Sequence, residues 1–218
     1  MEAFREAIDA GADGIEFDVR LTRDGVPVVI HDNSLRRTTR LSHRIADVTW
    51  FELEGLNVAV PSIEELFMLF EANDRALYLE MKCDSPSERE PLAKACCDLI
   101  NQFSFKSRVF VECFDLAALE VIKSVDCEIK TAALFQPSFS TPSVLSDDHI
   151  INRATAIGAS AVALHHRLAR SSLVRKAKAA DLGVAVWTVD DPAWIERARQ
   201  AGIDALITNN PAAMLSHR

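Results

Sequence analysis

Helix-like and strand-like stretches alternate through nearly the whole chain, and no other feature limits the fold as tightly. Residues 1–9 place Phe4, Ala7 and Ile8 on one helical face, with Gly11 as the stop. Residues 15–21 read as a strand, Arg23-Asp24-Gly25 as a turn and residues 26–30 as a second strand. Pro61-Ser62 opens a helix that runs to Phe70, with Glu64 and Glu65 in the first turn, where the helix dipole favours acidic side chains. Strands then follow at 76–81, 108–113, 129–135, 159–164, 184–189 and 205–207. Helices at 90–103, 116–124, 148–157, 171–181 and 192–200 separate them, and Pro211 starts a short last helix. A long loop covers 31–60, in which 48–56 (VTWFELEGL) can form one or two helical turns; a Pro/Ser-rich loop, QPSFSTPSVLSDD, comes later. No linker divides the chain, so residues 1–218 are expected to form one domain.

Strict alternation of this kind calls for a parallel sheet with helical crossovers. About seven principal strands fit either a barrel or an open doubly wound sheet of six or seven strands. The barrel is the expected fold: helix one through strand eight are present, whereas a strand before Met1 is not. The expectation is therefore a (β/α)8 TIM barrel missing its first β-strand, with self-association through the two edges so exposed.

The chain carries 24 Lys and Arg against 32 Asp and Glu, a net charge of −8. That balance argues against nucleic-acid binding, which needs basic patches to neutralise phosphates. It leaves room for a small anionic substrate, because a bound cation reverses the field locally. The five cysteines are odd in number, lack a CxxC pair and mostly sit among apolar residues, as free thiols of a reducing compartment do. A cytoplasmic location is expected, and the abrupt start leaves a periplasmic or secreted one open. No apolar run approaches the ~20 residues of a membrane span, so stable membrane insertion is not expected. The opening MEAFREAIDAGADG reads as an amphipathic helix and a turn rather than a signal peptide.

Barrel active sites lie at the C-terminal ends of the strands. Glu16 and Asp18 are two residues apart on one strand and share a face; Glu80 and Lys82 do the same on the next principal strand. Three carboxylates aimed at one cleft hold either protons or a cation, and hard oxygen donors suit Mg²⁺ or Ca²⁺. Lys82 adds a fixed positive charge for an anion, and His31, after VPVVI, suits proton transfer near neutral pH. Cation, ammonium and imidazole around one point can cleave a phosphate ester. Blander roles exist for each: Lys82 as a salt-bridge partner of Glu80, Trp187 as a core residue, His165-His166 as rim, Arg36-Arg37 as a solvated loop, Cys96-Cys97 as packing.

The segment GADGIEFDVRLTRDGVPVVIHDNSLRRTT, followed in order by VPSIEEL, YLEMK, VAVWTVDD and AGIDALITNNP, resembles the glycerophosphodiester phosphodiesterases over nearly the whole chain. The E-x-D, HD, L-E-x-K and W-T-V elements are specific in combination. The resemblance implies a (β/α)8 barrel that hydrolyses glycerophosphodiesters, such as glycerophosphocholine, to glycerol 3-phosphate and an alcohol. It implies Glu16, Asp18 and Glu80 as ligands of a divalent cation, Mg²⁺ or Ca²⁺. It implies His31 as one of two catalytic histidines, Lys82 as a substrate-phosphate contact, and Trp187 and Phe114 as walls of the glycerol or phosphate side. The family's His-Arg-Gly and Pro-Glu-Asn-Thr motifs do not occur here. A truncated or degenerate member that binds metal and phosphodiester with little turnover, or a non-catalytic scaffold, is the alternative. Cys113-Phe114 replaces the usual Ser-Phe, and Asp190 and Asn209 stand where Asn and Asp are more usual.

Overall fold

A computed structural model describes residues 1–39, 41–56, 58–137 and 145–217, so residues 138–144 of the Pro/Ser-rich loop and positions 40 and 57 of the long loop lie outside the described residues. The strands are β1 (Gly14–Leu21), β2 (Pro27–Val29), β3 (Ala76–Met81), β4 (Val109–Cys113), β5 (Lys130–Phe135), β6 (Ala161–His165), β7 (Gly183–Trp187) and β8 (Ala205–Leu206). The helices are α1 (Glu2–Asp9), α2 (Arg36–Thr39), α3 (Trp50–Gly55), α4 (Ile63–Phe70), α5 (Arg89–Gln102), α6 (Leu116–Val125), α7 (Asp147–Ala156), α8 (Ser171–Ala179), α9 (Ala193–Ala201) and α10 (Pro211–Leu215).

All strands join one sheet in the order β2-β1-β3-β4-β5-β6-β7-β8. Only β2 is antiparallel, paired to the end of β1 with Val19 opposite Val29. The seven parallel strands follow one another in chain order, as in a (β/α)8 barrel; a doubly wound sheet reverses its order at a switch point. The fold is the expected barrel type. Among the described residues no strand pairing joins β8 to β1.

The two faces of the sheet bury different residues, as the two-residue period of a strand requires. The outer face packs Phe17, Leu79, Val111, Val162 and Val186 against the helices, including Ile63, Leu66, Phe67 and Phe70 of α4. Phe67 meets Phe17, Phe103 and Phe105 at ring-centroid distances of 6.5, 5.5 and 5.0 Å. The inner face gathers Ala132, Leu134, Ala161, Ala163 and Ala185. Helix α4 starts as its sequence demands: Ser62 and Glu65 form a capping box that satisfies two free amides.

The segment 31–60 is more organised than a loop. Val28, Ile30, Leu35, Ile45, Val48 and Leu53 make a small core of their own. Helix α3 is held by a Thr49–Glu52 capping box, and the Leu35 amide donates to the His43 carbonyl at 3.0 Å. This sub-core fixes the chain just after His31. Gly14 is required where it stands, because a Cβ there would lie 2.5 Å from the Ala76 carbonyl oxygen on the neighbouring strand. All five cysteines are free. Among the described residues no helix is long and apolar enough to cross a membrane.

Candidate active site

Strands β1, β3 and β4 lie side by side in a register that lines up carboxylates. Asp18 sits opposite Glu80, and Glu80 opposite Glu112. Glu16, one inward position earlier on β1, completes the group. Glu16, Glu80 and Glu112 each offer an oxygen, and the three oxygens lie within 4.8 Å of one another. Asp18 stands beside this trio, with the Lys82 Nζ at 3.0 Å from its Oδ1. The same ammonium also pairs with Glu80.

The electrostatics follow from crowding like charges in a dry place. Burial first, then the charges of Asp18 and Glu80, push the Glu16 carboxyl from its ordinary 4.5 up to about 8, against the pull of Lys82. Burial also raises Glu80, although Lys82 opposes it. Burial raises Glu112 well above the carboxylate range. For Lys82 burial acts downward, but Glu80 and Asp18 outweigh it and hold the ammonium above its ordinary value. One lysine does not offset four carboxyls, so the trio calls for protons or a cation. One Glu112 oxygen, Oε2, is buried without a hydrogen-bond partner, and the donors are all hard oxygens. The trio can therefore hold a divalent metal.

The rim is built by long-range bonds. The Ile30 amide donates to the Asp18 carbonyl at 2.9 Å. Arg20, also on β1, donates through Nε to the His31 carbonyl and through Nη1 to Asp84, both at 2.9 Å. Asn33 Nδ2 donates to the other Asp84 oxygen at 3.2 Å. His31 is thereby anchored by its backbone while its side chain stays 63% exposed, with Nδ1 2.8 Å from Asp32 Oδ1. Hydrogen bonds from His31 and Arg37 hold the Asp32 carboxyl below its usual range, so it remains an acceptor. In the tautomer that donates Nδ1–H to Asp32, Nε2 is the unprotonated ring nitrogen.

Aromatic side chains cluster next to Lys82. Phe114, directly after β4 and 38% exposed, has the Lys82 Nζ 6.0 Å from its ring centre. Its ring meets Trp187 edge-on at 5.6 Å, and Trp187 meets His165 at 5.1 Å. His165 belongs to the rim and accepts from the Arg167 amide at 3.2 Å; His166 turns towards the Thr188 carbonyl at 3.0 Å. Asp190 accepts from the Asn209 amide at 2.8 Å and from its side chain at 3.3 Å, so these two departures from the usual pattern still bond to each other.

The structure thus brings Glu16, Asp18, Glu80 and Lys82 together, sets Phe114 beside Lys82 and Trp187 against Phe114, and places His31 on the exposed rim. Glu112, Arg20 and Asp84 were not singled out in the sequence. For Glu112 the available signal was one carboxylate in the otherwise apolar strand VFVEC.

Such a site, acidic below and cationic at the rim, on the C-terminal edge of a parallel barrel sheet, defines a barrel protein equipped for a metal ion and an anionic ligand. Residues 1–213 match the model of the glycerophosphoryl diester phosphodiesterase family, and the chain belongs to that family. It is 30% identical to the glycerophosphodiester phosphodiesterase of Caldanaerobacter subterraneus subsp. tengcongensis, over 98% of this chain and 89% of the relative. The crystal structure of glycerophosphodiester phosphodiesterase from Thermotoga maritima superposes with a TM-score of 0.82 at 26% identity, covering 100% of this chain and 90% of that one. An Oleispira antarctica phosphodiesterase in complex with the product sn-glycerol-3-phosphate shares the fold, with a TM-score of 0.83 at 23% identity over 97% of this chain and 87% of that one.

Proposed function

We propose that this protein hydrolyses glycerophosphodiesters to glycerol 3-phosphate and an alcohol, with a divalent cation, Mg²⁺ or Ca²⁺, held by Glu16, Asp18 and Glu80. The observation that carries this reading is the Lys82 ammonium shared between Asp18 and Glu80 beside buried carboxylates. It sets an anion contact next to a cation pocket. When bound, the cation lowers the pKa of a water or substrate hydroxyl and neutralises phosphate charge. Lys82 contacts the phosphoryl oxygens and stabilises the charge that builds on them. His31, oriented by Asp32, accepts or donates a proton through Nε2. Phe114 and Trp187 flank the glycerol or phosphate side and keep water from it.

Free cysteines support a cytoplasmic location. The edge of β1 at residues 14–17 and the outer edge of β8 carry no strand partner among the described residues, which supports self-association of the chain. The test of function is release of glycerol 3-phosphate from glycerophosphocholine by chelator-treated protein, before and after adding Mg²⁺ or Ca²⁺. Release restored by cation is expected; none with either cation contradicts the proposal.

A further inference from the structure

Glu112 has no part in the ligand set just described, and its placement needs an explanation. It is 1% exposed, on the central strand β4, opposite Glu80. Its Oε2 meets no donor. A carboxylate in that position is expensive unless a partner balances it. The cation closest by charge and chemistry, Lys82, is already shared by Asp18 and Glu80. What Glu112 does face is two further carboxylate oxygens, those of Glu16 and Glu80, within 4.8 Å. Three carboxylates so close, from three neighbouring strands, and a buried, unpartnered oxygen on one of them are what a cation site requires.

We infer that Glu112 is an additional ligand of the divalent cation, offered by β4 next to Glu80. This rests on the cation-dependent reading of the site and extends it in one direction. Lys82 engages one oxygen of Asp18, Oδ1, and one of Glu80, Oε1, so it does not take up either carboxylate whole, and Glu112 would join Glu16, Asp18 and Glu80 around the cation. A fourth carboxylate also bears on which metal is bound. Ca²⁺ takes six to eight oxygens in flexible geometry, whereas Mg²⁺ keeps most of its waters and uses one or two carboxylates. Glu112 therefore tilts the site towards Ca²⁺.

The test is calorimetric titration of metal-stripped protein with Ca²⁺ and, separately, Mg²⁺. Wild-type protein is expected to bind Ca²⁺ more tightly than Mg²⁺. Glu112→Gln, which keeps the shape and removes the charge, is expected to weaken Ca²⁺ at least tenfold and Mg²⁺ less. The rise in melting temperature caused by Ca²⁺ should shrink in the same variant. If Glu112→Gln does not fold, Glu112→Asp carries the test, since withdrawing the carboxylate by one methylene should also weaken Ca²⁺. Ca²⁺ affinity unchanged in the folded variant, with Glu80→Gln abolishing it, overturns the role of Glu112 and leaves the catalytic reading standing. No binding of either cation to the wild-type protein overturns both.

Discussion

The inward face of the barrel sheet carries opposite chemistry on its two sides. On β1, β3 and β4 it bears Glu16, Asp18, Glu80 and Glu112, with Lys82 directly after β3. On β5, β6 and β7 it bears Ala132, Leu134, Ala161, Ala163 and Ala185. Both sides share the same outer packing of strand against helix. The difference is therefore not needed to hold the sheet together. Crowded carboxyls cost stability in a dry interior, and a fold keeps them only where something is to be bound. The small apolar side is a floor and wall. It lowers the dielectric around the charged side, which strengthens every interaction made there.

The contrast can be broken most severely at Lys82. Lys82→Met keeps much of the side-chain length but removes the ammonium, and should lower kcat/KM by about 10²–10³, the range for losing one charge-stabilising donor. Far-UV circular dichroism should be unchanged. Leu134→Ala acts on the other side: it opens a cavity and should cost about 2–5 kcal/mol of stability in denaturant titration, with kcat of the folded enzyme near wild type. A large kcat loss in Leu134→Ala with stability intact would erase the division.

A smaller effect sharpens the same contrast through pH. The folded-state pKa of Glu16 is raised from 4.5 to about 8, so its contribution to stability is fully present below pH 4.5 and lost as pH rises through about 8. Metal-stripped protein should thus melt at falling temperature from pH 5 to pH 8, by about 2–4 °C for each kcal/mol lost. A saturating divalent cation should flatten the trend, because it binds the ionised carboxylates. A melting temperature that does not fall over this range without metal would contradict the burial of charge on β1.

Much of this was legible in the sequence, for a physical reason. The β/α alternation is a local pattern, and it yielded the parallel sheet and its strand order. Glu16 with Asp18, and Glu80 with Lys82, are two residues apart, so the strand period alone aligns each pair. Glu112 escaped because its meaning comes from register: it matters only once β4 is set beside β3 with Glu112 opposite Glu80. Arg20 and Asp84 escaped likewise, since their bond spans from β1 to the segment after β3. The segment 31–60 reads as loop because Leu35, Ile45 and Leu53 follow no regular period, and their common core forms only in three dimensions.

The central claim is that the charged side of the barrel performs phosphodiester hydrolysis and the apolar side only supports it. Glu80→Gln tests it most directly, because Glu80 touches Lys82 and belongs to the carboxylate trio. Glycerol 3-phosphate release from glycerophosphocholine at saturating Ca²⁺ or Mg²⁺ should fall to background in this variant, while its unfolding transition remains cooperative. Release at the wild-type rate from folded Glu80→Gln protein would contradict the account.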